Sequence, residues 1–119
     1  MDPDVLHART KRQCLRVIEM LRQLPPNLET QVIGKQLIRS TCSVAANYRA
    51  ARVARSRAEF ISKICIVLEE ADECEFWLEL LQDAGISQSE LLKELLTEAH
   101  ELLLIFSASR KTARNSITK

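Results

Sequence analysis

The sequence predicts an all-α protein that folds as an antiparallel, up-down-up-down four-helix bundle in one domain, residues 1–119. Three observations lead to this class. Hydrophobic residues make up 46% of the chain, which is enough to fill a core. Only two glycines and three prolines are present, so the chain offers few places to turn. Apolar residues recur at helical spacing in four stretches, and helices joined by short connections pack as antiparallel neighbours.

The first two helices meet at a proline pair. Helix one is predicted at about residues 4–24, and Pro25 ends it because the residue before a proline is disfavoured in the α region. Asn27 is suited to cap the next helix, since its side-chain oxygen can accept from an unpaired N–H of the first turn. Helix two is therefore predicted at about residues 28–54.

Capping signals also place the last two helices. Residues 56–59 read Ser-Arg-Ala-Glu, a capping box that starts helix three at about residues 57–83. The same box argues against the alternative that helices two and three fuse into one rod. Gly85 supplies the C-terminal stop. A second box at residues 87–90 opens helix four, predicted at about residues 88–111, and the remaining C-terminal residues are expected to fray.

Composition and length exclude several classes of protein. The net charge of +1 gives no overall attraction to nucleic acid, so any such binding must use a local basic patch. The N-terminus lacks the pattern of a secretory signal, and no apolar run approaches the roughly 20 residues of a membrane helix. We therefore expect a cytoplasmic protein without a membrane partner.

No residue pattern typical of catalysis or of a metal site is found. The carboxylates of helix three lack the Glu-x-x-His pairs that a di-metal bundle requires. The cysteines form no C-x-x-C pair, so we interpret them as small buried hydrophobic residues. We expect no enzymatic activity, no cofactor and no small-molecule substrate. These cysteines are Cys14, Cys42, Cys65 and Cys74.

Helix two combines a core face with a basic stripe. A rotation of about 100° per residue groups its apolar residues in one sector and most of its cations opposite. Two interpretations stay open: a solvated surface partly paired with acidic neighbours, or a surface that contacts nucleic-acid phosphates. The predicted basic stripe, continued into the following turn, consists of Lys35, Arg39, Arg49, Arg52, Arg55 and Arg57.

Helix three has apolar side chains on nearly all sides towards its end. A helix that is hydrophobic all round is buried all round, whereas a four-helix monomer buries only one face of each helix. We predict that the surplus surface contacts another subunit or a partner. The alternative is that the chain covers it by itself. The predicted subunit interface consists of Ile66, Phe76, Trp77 and Leu80.

Three polar residues are predicted to have structural roles. Asn47 and Tyr48 lie beside the core of helix two, where an unpaired amide would be unfavourable, so Asn47 is expected to bond to a neighbouring helix. Glu75 falls at the edge of the core sector of helix three. We expect it to meet a partner from helix two, with Arg39, Asn47 and Tyr48 as the options.

A family resemblance rests on segments of helices two and three. They read Gly34-x-Gln36-Leu37-x-Arg39-Ser40, Ser43-Val44-x-Ala46-Asn47-Tyr48-Arg49-x-Ala51, Glu59-Phe60 with Lys63, and Glu69-Glu70-Ala71-Asp72-Glu73 with Phe76-Trp77-Leu78-Glu79-Leu80. In these segments the chain resembles the bacterial four-helix bundle protein family, described from open reading frames in intervening sequences of 23S rRNA genes. The resemblance implies assembly into a homopentameric ring. The family is similar to the accessory variability protein of retroelements, a basic pentamer that binds nucleic acid; this chain is almost neutral instead.

The sequence thus leads to two hypotheses for function. The first is a non-enzymatic oligomeric scaffold that binds RNA or a ribonucleoprotein through the basic face of helix two. The alternative is a protein-protein adaptor without nucleic-acid binding, whose basic stripe contacts its own subunits or an acidic partner.

Overall fold

The computed structural model describes residues 1–118 as four helices without a strand in that range, which confirms the predicted all-α class. Lys119, the last residue expected to fray, lies outside the described residues. The molecule is a rod of 51 × 22 × 19 Å. None of its described helices contains an apolar stretch that could cross a membrane. The helices are α1 (Pro3–Arg22), α2 (Leu28–Arg52), α3 (Arg57–Asp83) and α4 (Glu90–Thr118).

The helices pack as a closed cycle of antiparallel neighbours. α2 lies between α1 and α3, and α4 lies between α3 and α1, with the least contact along the α1–α4 seam. The direction of packing follows from pairs at the two ends of the rod. Arg52 at the end of α2 pairs with Asp4 at the start of α1. At the opposite end, Gly34 of α2 lies against Leu21 of α1, where a Cβ would be 3.3 Å from the leucine Cδ2.

Side-chain caps start α2 and α3 at the positions that the sequence predicted. The side-chain Oδ1 of Asn27 accepts from the Thr30 backbone N–H at 2.9 Å. At the next junction the Ser56 hydroxyl accepts from the Glu59 N–H at 3.0 Å, and the Glu59 carboxylate accepts from the Arg55 N–H at 3.3 Å. These reciprocal bonds are a capping box. They rule out the alternative in which helices two and three fuse into one rod.

The start of α4 differs from the predicted boundary. Ser89 caps it, because its hydroxyl accepts from the Leu92 N–H at 3.1 Å, and the helix begins at Glu90. The predicted box opened two residues earlier, at Ser87. Both serines satisfy the sequence preference for a cap, and the Ser87 hydroxyl instead lies 3.2 Å from that of Ser89.

The end of α4 also differs. Fraying was expected after Lys111, but the helix continues to Thr118. Neither proline nor glycine interrupts this segment. Ala113 is buried, so packing against the rest of the bundle supports the helix beyond Lys111.

Gly85 provides the first testable prediction. Its φ of +71° is the left-handed conformation that follows a helix end, and the Ile86 N–H donates to the Leu81 carbonyl at 3.1 Å to close the turn. No atom lies within 4 Å of a Cβ built on Gly85, so an alanine there would cause no steric clash with neighbouring residues. Its only cost is the left-handed backbone conformation, which is unfavourable for a residue with a Cβ. We expect Gly85→Ala to lower the free energy of unfolding by about 1 kcal/mol in a urea titration. Gly85→Asn should lower it less; equal losses would contradict this explanation.

The core consists of two apolar clusters separated by a polar waist. The polar waist is formed by the buried side chains of Thr10, Gln13, Ser40 and Thr41. The Gln13 amide crosses from α1 to α4, where it donates to the Leu95 carbonyl at 2.9 Å. The first cluster contains Leu6, Val44, Tyr48, Ala51, Ile64, Val67, Leu68, Ala71, Leu102 and Phe106. The second contains Val17, Met20, Ile33, Leu37, Cys74, Leu78, Leu81, Leu92, Leu95 and Ala99.

Candidate nucleic-acid interface and subunit contact

All cations of the predicted basic stripe are exposed, but two already have partners. The Arg39 guanidinium bonds to Glu70 at 3.1 Å and also to Glu73, both on α3. Arg52 pairs with Asp4 on α1. For these two residues the arrangement matches the interpretation of a solvated surface that pairs with acidic neighbours.

The other four cations of the stripe are not paired in this way. Within residues 1–118, the side chains of Lys35, Arg49, Arg55 and Arg57 form no ion pair. Lys35 lies near the start of α2, whereas the three arginines surround the α2–α3 connection. The three unpaired arginines of the stripe therefore lie together at one end of the rod.

The last turns of α4 add cations that the sequence reasoning missed. Because α4 continues past residue 111, Arg110 and Lys111 lie beside residues that line one groove with Ser56 and Arg57. Both residues fall within the predicted helix four, at about residues 88–111, but the sequence does not show that the end of this helix lies beside the start of α3. We call the resulting surface the basic end; it consists of Arg49, Arg55, Arg57, Arg110 and Lys111.

The groove at the basic end has an apolar floor. Leu6, Phe60 and Ile105 line it, and Arg52 and Arg57 stand at its margin. This combination can hold an apolar or aromatic group while cations contact an adjacent anion. The opposite end of the rod carries exposed charge of both signs, since Glu90 pairs there with Lys93 and Glu94 with Arg16. No group of three potential metal ligands comes together in the described part of the chain.

The predicted subunit interface is exposed mainly at one residue. The Phe76 side chain is 53% exposed, and its ring meets that of Trp77 edge-on at 4.9 Å. Trp77 is half-buried: it packs against the second cluster and donates from Nε1 to Glu73 at 3.2 Å. Leu80 also packs against that cluster, and Ile66 is half-buried. Thus Phe76 contributes most of the free apolar surface at this site.

Two polar partners differ from the expectation. Asn47 was expected to bond to another helix, but its amide donates to the Ser43 carbonyl at 2.9 Å within α2. Glu75 was expected to meet helix two, but its Oε1 lies 3.3 Å from Nδ1 of His100 on α4. Position 75 is on the side of α3 that faces α4, which explains the change. Tyr48 is buried as expected, with its ring 5.4 Å from that of Phe106.

The cysteines are less buried than the sequence suggested. All four are free thiols, and of these only Cys74 is buried. Cys14 and Cys65 are partly buried, and Cys42 is exposed on α2. The interpretation as small hydrophobic residues therefore holds for Cys74 and is wrong for Cys42, because position 42 lies at the exposed edge of the α1–α2 contact.

Two carboxylates of α3 have pKa values shifted in opposite directions, which leads to a prediction about the pH dependence of stability. Hydrogen bonds, first from Arg39 and then from Trp77, lower the pKa of Glu73. Its ionised form therefore stabilises the fold, and this contribution is lost as the pH falls through the lowered pKa. Burial, and next the charge of Glu75, raises the pKa of Glu79. Ionisation of Glu79 therefore destabilises the fold, and that effect disappears as the pH falls.

We expect Glu73→Gln to lower Tm at pH 7 and Glu79→Gln to raise it, each by about 1–3 °C because both sites are near the surface. Between pH 7 and about pH 3 both differences should shrink, that of Glu79→Gln at higher pH because the pKa of Glu79 is raised, and that of Glu73→Gln at lower pH because the pKa of Glu73 is lowered. Thermal scans at the two pH values provide the measurement. Shifts of the same sign at pH 7 would contradict the assignment.

Comparisons with known proteins agree with this architecture. A family model described as 23S rRNA-intervening sequence protein matches residues 6–108. A crystal structure of a protein of unknown function from the S23 ribosomal protein family of Bacteroides thetaiotaomicron VPI-5482 is 32% identical, with a TM-score of 0.82. The match covers 93% of this chain and 99% of that one. No curated protein matches the chain.

Proposed function

Because this chain belongs to the 23S rRNA-intervening sequence protein family, as its sequence indicated, we propose that it is a non-enzymatic helical scaffold that binds RNA. In this proposal the chain assembles into a homopentameric ring. The basic end and Lys35 contact RNA phosphates, and the surface around Phe76 contacts the neighbouring subunit. The family's name associates its members with a ribosomal RNA, which makes RNA the first ligand to test.

The observation that carries the proposal is the set of exposed, unpaired cations. Arg49, Arg55 and Arg57 lie around one helix connection and have no carboxylate partner within residues 1–118. Guanidinium groups can donate two parallel hydrogen bonds to a phosphate. A chain with a net charge of only +1 can therefore still present a local positive surface.

Ring assembly would strengthen this surface without changing the subunit. Cyclic symmetry places every copy of a residue at the same height along the ring axis. The basic ends of all subunits would therefore form one continuous band of positive charge. In this way an almost neutral chain would present several phosphate sites to a single RNA strand, and multivalent binding would raise the overall affinity.

A salt titration with labelled single-stranded RNA, followed by fluorescence anisotropy, tests the proposal. Single-strand binding loses about 0.7 log units of affinity per log unit of salt for each phosphate contact. Six phosphate contacts predict a slope of about −4.2 per subunit, from Lys35, Arg49, Arg55, Arg57, Arg110 and Lys111. For a strand that contacts one subunit, affinity should then fall about three-hundred-fold between 50 and 200 mM salt, and the slope should steepen when further subunits of the ring are engaged. Absence of binding at the lowest salt would refute the RNA-binding proposal.

Matched charge variants separate local contacts from net charge. The variant R49Q/R55Q/R57Q should reduce the slope to about −2.1 per subunit, since Lys35, Arg110 and Lys111 remain. The control K11Q/R12Q/R22Q removes the same charge from exposed positions of α1 and should keep most of the slope. If both variants weaken binding equally, the attraction depends on net charge, and the assignment of the basic end is wrong.

Light scattering tests the assembly. A pentamer should have about five times the subunit mass of 13.6 kDa. Phe76→Glu should dissociate it, because a carboxylate would be buried without a partner at the subunit contact. Leu104→Glu is the matched control, since Leu104 is 58% exposed on α4. A monomeric wild-type protein would exclude the ring.

The ion pairs of the stripe favour a second candidate function, a protein-protein adaptor. Arg39 and Arg52 already bind carboxylates of this chain, so the same face could bind an acidic protein partner. This alternative predicts an oligomer that shows no affinity for RNA at low salt. The two measurements above therefore distinguish the candidates.

A further inference from the structure

Cys14 and Cys42 lie together where α1 packs against α2. The Cys14 thiol donates to the Thr41 carbonyl, with Sγ 3.2 Å from the oxygen. That carbonyl belongs to the peptide bond shared by Thr41 and Cys42, so the Cys14 sulfur touches the backbone that carries Cys42. Both residues are free thiols.

The two thiols have complementary environments. Cys42 is exposed, so oxidants in solution can reach it. Cys14 is half-buried, and its burial, followed by the nearby Cys42, raises the pKa of its thiol to about 12. Cys14 therefore stays protonated at neutral pH, and Cys42 is the thiol available for the first reaction.

We propose that Cys14 and Cys42 form an oxidation site, at which a hydroperoxide converts the two thiols into a disulfide that links α1 to α2. The Cys42 thiol releases its proton, and its thiolate attacks a peroxide oxygen, which breaks the O–O bond and gives a sulfenic acid; the leaving hydroxide takes up the released proton and becomes one water. The Cys14 sulfur then displaces the hydroxyl group from the sulfenic sulfur. Its thiol proton leaves with that hydroxyl as a second water, so two thiols and one H₂O₂ give one disulfide and two waters.

The other cysteines are placed less favourably for this reaction. Cys74 is buried, and its sulfur lies 3.1 Å from the Thr41 hydroxyl. Burial raises the pKa of the Cys74 thiol to about 11. Cys65 is on α3, where its sulfur accepts a contact from Arg114 of α4 at 3.5 Å. The geometry therefore selects one pair among the four thiols.

The site lies within the basic stripe, between Arg39 and Arg49 on α2. The disulfide would close a loop that includes the whole α1–α2 connection, and such a closure restricts the unfolded chain. Oxidation should thus stabilise α2 against α1 beneath the proposed phosphate contacts. This inference does not depend on RNA binding, because its test requires no RNA.

Peptide mapping after graded H₂O₂ treatment tests the inference. The intact mass should fall by about 2 Da, the loss of two hydrogens on disulfide formation. Non-reducing trypsin digestion should then give Gln13–Arg16 linked to Ser40–Arg49. The oxidised protein should melt about 5–15 °C higher, and dithiothreitol should reverse the shift.

Cysteine variants decide between outcomes. C42S and C14S should each abolish the cross-link, whereas C65S should retain it and serve as the matched control; C14A replaces C14S if that variant does not fold. A cross-link to Cys65 or Cys74, a Cys42–Cys42 link between copies, or a Cys42 sulfinic acid as the main product would overturn the proposal.

Discussion

Phe106→Ala is expected to lower the free energy of unfolding by about 3–5 kcal/mol. Phe106 is fully buried in the first cluster, and its ring lies 5.4 Å from that of Tyr48. Removing the ring loses its transfer free energy and leaves a cavity, because α-helices packed on all sides relax only partly. This loss is comparable to the total stability of many small domains.

Chemical denaturation followed by circular dichroism provides the measurement for Phe106→Ala. Leu104→Ala is the control, since Leu104 lies on the same helix two residues away but is 58% exposed. We expect the control to change the free energy of unfolding by less than about 0.5 kcal/mol. Similar losses for both variants would show that the first cluster is not packed as described.

Leu78→Ala should have the second-largest effect, a loss of about 2–5 kcal/mol. Leu78 is fully buried in the second cluster, beside Cys74 and Leu81 on the same face of α3. The variant tests whether this half of the rod is packed as tightly as the half that contains Phe106.

Leu28→Ala makes the identical chemical change at a residue that is 75% exposed, and it should have little effect. Urea titration of both leucine variants, with Trp77 fluorescence as the probe, gives the comparison. A loss below about 1 kcal/mol for Leu78→Ala would indicate a loosely packed second cluster.

The sequence predicted the features that depend on local chemistry. The cap at Asn27, the box at Ser56 and the stop at Gly85 are properties of a few adjacent residues, so they could be identified without knowledge of the neighbouring helices. The core faces of α2 and α3 could also be predicted, because a fixed rotation per residue determines which side chains share a face.

The sequence did not predict which neighbouring helix lies on each side of the core face of α3. Antiparallel bundles can be arranged with either handedness, and the rotation of one helix about its own axis does not distinguish them. For this reason Glu75 was assigned to helix two, whereas its partner His100 is on α4. Arg39 was one of the options for Glu75, but it pairs with Glu70 on the same helix as Glu75, which removes one cation from the candidate interface.

The polar waist has a consequence for how the four helices align. Two helices with uniformly apolar contact faces could shift along each other by one turn and still bury apolar surface against apolar surface. Here such a slip would push the Gln13 amide into a hydrocarbon layer and deprive it of the Leu95 carbonyl. A few hydroxyl and amide groups halfway along the rod therefore fix how far the helices are displaced along one another.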